Sequence, residues 1–353
     1  MKPEEAIRDP VFQLNLLVWM AKEQPAQGFR VRPLFHEHGF QLHYIEQPFP
    51  FSPEVRNAIE TVAESQSWEV NLTPEPELTI QRPDDQTAVY FEAKAQGFTS
   101  SSSNVKQARG HLLACGSAFY EAYKPLKAAL LDYVVPNGDT EMMNQCLTEL
   151  RGALAQQSLQ PGPFAVNGLS FRDGSLHYHL DKATSALLPT SEPDAIVMSG
   201  LAPDTDPSPL LLVYSDEDCP DDKRRGHYRR VLQNQVLANL LCLLNRLPVG
   251  QVVEISALEI LVQTTIGAFE FLGRQRQKSM MALVSENLFR RVFEYWKDKA
   301  PELVTIAAKT LTIHYKDIAQ KEQFLGWLED GKRTGFLDDR AGSAAQLDLL
   351  PSE

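Results

Sequence analysis

The segment Ala88–Ala95 has the sequence Ala-Val-Tyr-Phe-Glu-Ala-Lys-Ala, and its alternation decides the fold of the first half of the chain. Side chains along a strand point alternately to its two faces. We therefore expect Val89 and Phe91 to face a core. Glu92 and Lys94 would share the opposite face, about 6–7 Å apart along the strand. The pattern predicts a strand that carries a carboxylate and an amine side by side on a polar face.

The elements around this strand predict a mixed sheet flanked by helices. Ser52-Pro53 is typical of a helix start, with a capping side chain followed by proline in the first turn. Patterns of period two and of period 3.6 then indicate further strands and helices. The predicted order is a helix from Ser52, strands at Trp68–Leu72, Leu78–Ile80 and Ala88–Ala95, a helix from Asn104 to about Tyr123, and a strand at Ala128–Val135. This order indicates an α/β fold.

A second carboxylate lies on the preceding strand. Pro76-Glu77 stands at the start of the Leu78–Ile80 strand, fifteen residues before Glu92, with the turn-forming Arg82–Asp85 between them. Two carboxylates on neighbouring strands suit a hard cation such as Mg2+, which prefers oxygen ligands. A lysine beside them can orient or help to deprotonate a water for phosphodiester hydrolysis. Glu77, Glu92 and Lys94 are therefore the candidate residues for this chemistry.

This series of motifs resembles the PD-(D/E)XK nuclease superfamily, and the Gln107–His111 segment is similar to the Gln-x-x-x-Tyr helix motif of its RecB-like branch. The resemblance covers about residues 50–135. It implies a restriction-endonuclease-like fold, Mg2+ or Mn2+ held by Glu77, Glu92 and the Ala93 carbonyl, and support from Gln107. Glu77 departs from the usual aspartate, and His111 departs from the usual tyrosine. The superfamily's extra acid on the first core helix would be Glu54, Glu60 or Glu64.

The net charge of −12 opposes contact with an acidic polymer over the whole surface. Binding to DNA would therefore need a local basic patch, since phosphates are neutralised by clustered Lys and Arg. The densest group away from acids is Arg274, Arg276, Lys278, Arg290 and Arg291. We expect these residues to contact DNA, with help from a partner protein or from self-assembly.

The second half of the chain is predicted to be rich in helices, including one at Glu302–Ile313. We place domain boundaries at residues 1–160 and 161–330 and a flexible tail at 331–353. Pro193-Asp194, an apolar segment at Leu210–Tyr214 and a helix carrying Gln233 echo the order of the first half without its lysine. One interpretation is a degenerate duplication of the nuclease fold, and the other is an unrelated arrangement of strands and helix.

Together these features predict a metal-dependent nuclease that hydrolyses DNA. The lack of an apolar stretch of membrane length and the acidic N-terminus predict a cytoplasmic protein with no membrane contact. The superfamily resemblance implies a role in bacterial restriction or anti-phage defence. Two alternatives stay open: a catalytically inactive scaffold subunit of a nucleic-acid-processing complex, and an enzyme of the same fold that cuts RNA.

Overall fold

The computed structural model describes residues 2–23, 31–122, 126–189, 191–202, 207, 211–214, 219 and 221–334. It divides into two compact units, Met1–Pro209 and Leu210–Glu353. The predicted α/β class, with a mixed sheet and several helices, is confirmed. Of the predicted flexible tail, 331–334 form the end of a helix, and the remainder lies outside the described residues.

The first unit contains seven helices and seven strands in its described part. In chain order they are α1 (Pro3–Ala6), α2 (Pro10–Ala21), β1 (Gln41–Ile45), α3 (Pro53–Gln66), β2 (Leu78–Arg82), β3 (Thr87–Ala93), α4 (Val105–Gly116), α5 (Ala118–Ala122), β4 (Ala128–Pro136), α6 (Thr140–Gln156), β5 (Phe164–Arg172), β6 (Ser175–His179), α7 (Lys182–Leu187) and β7 (Asp194–Met198). The predicted start of α3 is confirmed, because the Ser52 side chain accepts a hydrogen bond from the Val55 N–H.

All seven strands form one sheet in the order β1-β2-β3-β4-β5-β6-β7. β1, β2 and β3 form an antiparallel meander, and β4 and β5 then run parallel to β3. The parallel connections pass through α4 and α6, as parallel neighbours require a long crossover. β6 and β7 complete the sheet as antiparallel strands after a tight turn at Asp173-Gly174, where both residues have positive φ.

Both faces of β3 are covered, and all seven of its residues are buried. On one face Phe91 packs against Phe35, with ring centroids 5.1 Å apart. On the other face Tyr90 belongs to the core that α4 and α6 build with the sheet, and it stacks on Phe119. The prediction that Glu92 and Lys94 lie on a polar, non-core face is therefore wrong, because the adjacent helices bury that face as well.

The predicted strand at Trp68–Leu72 is absent from the structure, and the third strand of the meander is β1 instead. The reason is that this segment makes its contacts with α4 and not with a neighbouring strand. The Asn71 N–H donates to the Lys106 carbonyl of α4, and the Trp68 ring packs under the Arg109 guanidinium. A side chain at Gly110 would lie 2.4 Å from the Asn71 carbonyl, so glycine permits this close approach. The segment packs on a helix rather than beside a strand.

The strands β5, β6 and β7 belong to the sheet of the first unit, so the units divide at residue 209 whereas the sequence predicted a boundary at 160. The α6 crossover joins β4 to β5 as parallel neighbours, so the same sheet continues beyond residue 160. Asp194 begins β7, whereas the duplication hypothesis required it to begin a strand of a second sheet. Residues 215–218, which that hypothesis also used, lie outside the described part of the chain.

The second unit combines helices with a small antiparallel sheet of order β8-β10-β9. Its elements are α8 (Asp222–Asn245), β8 (Val252–Ser256), α9 (Ala257–Thr264), α10 (Arg274–Ala282), a π-helical segment (Leu283–Phe289), α11 (Arg290–Trp296), β9 (Val304–Ala307), β10 (Thr310–His314) and α12 (Ile318–Thr334). The prediction of a helix at Glu302–Ile313 is wrong. The segment is a hairpin that turns at Ala308, whose φ is 52°. Among the residues described in the two units, no helix is long and apolar enough to cross a membrane.

Candidate functional site

The candidate site lies at the end of β3, where the strand passes between β2 and β4. Glu92 is opposite Tyr133 of β4, and the Lys94 N–H extends this ladder by donating to the Val134 carbonyl at 2.8 Å. The ladder thus fixes the backbone on both sides of Ala93. Glu92 is only 1% exposed and Lys94 18%. The strand therefore holds this carboxylate and this amine in a nearly dry environment.

Three side chains of the site form a closed triangle of hydrogen bonds. The Lys94 ammonium donates to Glu92 Oε1 at 2.6 Å and to Gln107 Oε1 at 2.9 Å. The Gln107 amide nitrogen in turn donates to Glu92 Oε1 at 2.7 Å. Gln107 comes from the first turn of α4, so the helix and the strand orient the lysine together. The structure brings together three of the four residues that the sequence predicted to be catalytic.

Glu77, the fourth of these residues, lies at the entrance of β2. Its N–H donates to the Phe91 carbonyl at 3.0 Å, and Glu77 Oε2 accepts from the Ala93 N–H at 3.1 Å. The N–H and C=O groups of one residue in an antiparallel pair point to the same neighbour. The Ala93 carbonyl therefore points towards the edge that the Glu77 carboxylate occupies. The predicted oxygen ligands Glu77, Glu92 and Ala93 come from one corner of the sheet.

The charges of this corner shift the pKa values of its members. Burial raises the pKa of the Glu77 carboxyl well above its usual range, and the Glu92 charge raises it further. Lys94 and the Ala93 N–H offset part of that rise. Burial alone would lower the pKa of Lys94, but the charges of Glu92 and Glu77 and the hydrogen bond to Glu92 raise it overall. Lys94 is therefore a charged ammonium that pairs with the Glu92 carboxylate.

A fully buried layer lies behind the triangle. His111 Nδ1 is 3.8 Å from Glu92 Oε2 and 3.4 Å from the Tyr133 hydroxyl. Burial lowers the pKa of His111, although the Glu92 charge opposes this shift, so the imidazole is neutral near pH 7. Among the residues that the structure describes, Glu92 Oε2 has no hydrogen-bond partner. Since buried carboxylate oxygens are normally satisfied, this atom is the strongest local indication of a missing ligand.

Two residues that the sequence analysis did not select also contact the site. Gln13 of α2 donates to the Lys94 carbonyl at 3.0 Å and to the Ile7 carbonyl at 2.8 Å. The Glu46 N–H donates to the Glu77 carbonyl at 3.1 Å, and the Glu46 charge contributes to the raised pKa of Glu77. A polar residue within a mostly apolar helix was the available signal for Gln13. Glu46 follows β1, which the sequence analysis did not identify as the strand beside β2.

The three candidates for an extra acid are all on α3, which is inserted between β1 and β2. Glu54 and Glu64 are exposed, and Glu60 forms an ion pair with Arg56. Ile59 is the only buried residue of this helix. The helix that precedes the meander is α2, and its polar residue at the site is Gln13 rather than an acid.

The residues predicted to contact DNA lie in the second unit, on α10 and α11. Arg274, Lys278 and Arg290 are exposed, and Arg291 is half-buried. Arg276 is only 7% exposed, so its prediction as a surface contact is wrong. On α10 its side chain points inwards with Met280, four residues later on the same helical face. The exposed members of this basic group are therefore Arg274 and Lys278 on α10 and Arg290 on α11.

Within the described residues, no group of three or more His, Cys, Asp or Glu side chains is placed to hold a metal ion. The predicted ligand set instead contains two carboxylates and a backbone carbonyl. No family model, no curated protein and no solved structure matches the chain. The function is therefore inferred from the chemistry of the site.

Proposed function

We propose that this chain is a metal-dependent nuclease that hydrolyses phosphodiester bonds of DNA. The observation that carries the proposal is the buried Glu92 carboxylate, which binds Lys94 and Gln107 through one oxygen and leaves the other without a partner among the described residues. An unsatisfied carboxylate oxygen in a dry site is costly unless a cation or water completes it. Glu77 adds a second carboxylate at the same corner.

The donor chemistry of this corner fits a hard divalent cation. Carboxylate and carbonyl oxygens are the groups that Mg2+ prefers, and Mg2+ usually keeps several waters beside one or two carboxylates. Glu77, Glu92 and the Ala93 carbonyl would hold the ion. When bound, Mg2+ or Mn2+ would neutralise charge on the scissile phosphate and lower the pKa of a coordinated water. Burial and then the Glu92 charge raise the pKa of Glu77, and a bound cation would offset both effects.

The protein's own groups would position the nucleophile. Lys94, held by Glu92 and Gln107, would orient the attacking water through its charged ammonium. Gln13 fixes the Lys94 backbone from the opposite side through its carbonyl. Such positioning by groups that are already held in place avoids reorganisation during the reaction.

The topology also supports a restriction-endonuclease-like fold. The order α2, β1, β2, β3, α4, β4 repeats the predicted sequence of element types, although α2 and β1 take the places of the predicted Ser52 helix and Trp68–Leu72 strand, and α3 lies between β1 and β2. DNA as substrate and a role in cellular defence follow from the same resemblance. A partner protein or self-assembly follows from the net charge of −12, and a cytoplasmic location from the sequence pattern. They are part of the proposal.

A second candidate is an inactive scaffold of the same fold, and the burial of Glu92 favours it. Lys94 occupies the Glu92 oxygen that a cation could use, and only 1% of the Glu92 side chain is exposed. The test is whether purified protein degrades plasmid DNA with Mg2+ or Mn2+ and stops when EDTA is added. An inactive scaffold would leave the plasmid intact under every metal condition.

A further inference from the structure

A second cluster of reactive side chains lies on β5, β6 and β7, away from the Glu92 corner. The strand register places Ser170 opposite His177, and His179 opposite both Gly168 and Asp194. Since paired residues share a face, Ser170, His177, His179 and Asp194 all point to the same side of the sheet. Arg172 lies two residues beyond Ser170 on this side.

The contacts within this cluster follow a defined order. His179 Nε2 is 2.6 Å from Ser170 Oγ, and His179 Nδ1 is 3.2 Å from Asp194 Oδ1. The two ring nitrogens therefore face a hydroxyl on β5 and a carboxylate on β7. His177 Nδ1 also approaches Asp194 Oδ1, at 3.0 Å, and Arg172 pairs with Asp194 Oδ2. Asp194 is thus held by three cationic or hydrogen-bonding neighbours.

We propose that Ser170, His179 and Asp194 form a nucleophilic site that transfers acyl groups from small carboxylic esters. A hydroxyl bonded to one imidazole nitrogen, with a carboxylate on the other, is the arrangement that activates serine in unrelated folds. Asp194 would hold the His179 tautomer in which Nε2 is free to accept the Ser170 proton. Burial lowers the pKa of His179, and Arg172 and His177 add to this shift although the Asp194 charge opposes it, so the ring is neutral and can act as a base near pH 7.

The reaction balances without any further reactant than ester and water. Ser170 Oγ attacks the ester carbonyl carbon while its proton passes to His179 Nε2. The bond to the leaving alcohol then breaks, and its oxygen takes the proton from His179. Water repeats the sequence on the acyl-serine, which releases the acid and restores Ser170. Arg172 pairs with Asp194 and thereby supports the carboxylate that orients His179.

The exposure of the cluster bears on which substrates can reach it. Asp194 is 35% exposed, His179 22% and Arg172 54%, and the neighbouring Ile196 is also exposed, so this face of the sheet is open to solvent at the cluster. An open face admits a small ester without closure of a lid. This proposal does not depend on metal or on the Glu92 corner.

Labelling of the full chain by a fluorophosphonate tests the proposal, because Ser170 Oγ would displace fluoride from phosphorus and keep the label. We expect mass spectrometry to find the label on Ser170 in the wild type. The Ser170→Ala variant should lose the label, and His179→Gln should slow labelling about 10²–10⁴-fold through loss of the general base. Neither EDTA nor Mg2+ should change the wild-type rate, and Ser170→Ala should keep any metal-dependent cleavage of DNA.

A cysteine variant provides a test with an internal control. In Ser170→Cys, the new thiol beside His179 should be alkylated by iodoacetamide faster than the exposed Cys242 of the same chain, because a neighbouring imidazole stabilises the thiolate. Circular dichroism of each variant checks that the fold is retained. Absence of label on wild-type Ser170, together with a new thiol in Ser170→Cys that is no more reactive than Cys242, would show that the cluster is only a structural ion-pair network.

Discussion

Lys94 Nζ lies 2.6 Å from Glu92 Oε1, and the pair is buried where β3 packs under α4. Such a pair has two consequences. It fixes a lysine beside a carboxylate that has a second, unsatisfied oxygen, which is the basis of the proposed function. It also makes each partner dependent on the other for stability, because a buried charge without its counter-ion is strongly destabilising.

The first prediction concerns this dependence. Lys94→Met should lower the free energy of unfolding by about 3–5 kcal/mol, because it leaves the Glu92 carboxylate buried and unpaired. The double variant Lys94→Met/Glu92→Gln should be more stable than Lys94→Met alone, since it removes both charges. Urea unfolding of the two single variants, the double variant and the wild type measures the coupling. Additive losses in the double variant would mean that the two side chains act independently.

The second prediction concerns Glu77. Burial and the Glu92 charge raise the pKa of Glu77, so a bound cation must displace a proton there. Mg2+ affinity should therefore increase as the pH rises from 5 to 8. Glu77→Asp should keep part of the affinity, since the carboxylate survives one methylene shorter, and Glu77→Gln should lose both affinity and pH dependence. Isothermal titration at several pH values gives the answer, and equal Mg2+ binding by Glu77→Gln and wild type would exclude Glu77 as a ligand.

The third prediction concerns Asp132, which is fully buried on the face of the sheet opposite to Glu92. Asn167 and Thr184 both donate to its Oδ2, yet burial raises its pKa to about 8. The native carboxyl thus binds its proton more tightly than the unfolded chain does. Its contribution to stability is complete below about pH 3.8 and is lost as the pH rises through about 8.

Asp132→Asn should remove this loss because the amide cannot ionise. Its stability relative to wild type should increase by about 3–4 kcal/mol between pH 5 and pH 8, the span over which one proton is lost. Urea midpoints at the two pH values measure the change, with the exposed Asp84→Asn as a baseline. A difference from wild type that is the same at both pH values would show that Asp132 is ionised throughout.

The fourth prediction concerns the basic patch of the second unit. Arg274→Ala/Lys278→Ala should weaken DNA binding and reduce the slope of log K against log salt by about 2, one unit for each lost phosphate contact. Arg246→Ala/Lys309→Ala removes the same charge from exposed positions of this unit and is the matched control. Arg276→Ala is not suitable for this test, since Arg276 is buried and its loss should destabilise the unit. Identical slopes for the patch and control variants would place the DNA contacts elsewhere.

Local sequence patterns correctly predicted the parts of the fold that depend on a few neighbouring residues. The cap at Ser52-Pro53 and the strand around Glu92 follow from short-range chemistry. Trp68–Leu72 alternates like a strand, but the close approach of Asn71 to Gly110 overrides the pattern. The burial of Glu92 was also not predicted, because the alternation along β3 does not show that helices cover both faces of the strand.

The candidate residues show the same difference between local patterns and long-range contacts. Glu92, Lys94 and Gln107 were predicted to act together, and the structure places them in contact. Gln13 and Glu46 come from α2 and from the end of β1, and only the sheet order brings them to the site. In the hairpin β9-β10, the β-branched residues Val304, Thr305 and Thr310 favour strands, but the spacing of apolar residues suggested a helix. Ser170, His179 and Asp194 lie on three strands, so their contact depended on a register that the sequence alone did not provide.

The most direct test of the central proposal compares plasmid cleavage by three proteins at matched concentration with Mg2+ or Mn2+. These are the wild type, Lys94→Met and Lys106→Met, the last being the same substitution at an exposed lysine of α4. We predict metal-dependent cleavage by the wild type and by Lys106→Met, and a rate about 10²–10⁴-fold lower for Lys94→Met. Cleavage by Lys94→Met at the wild-type rate, or no cleavage by the wild type with either metal, would contradict the proposal.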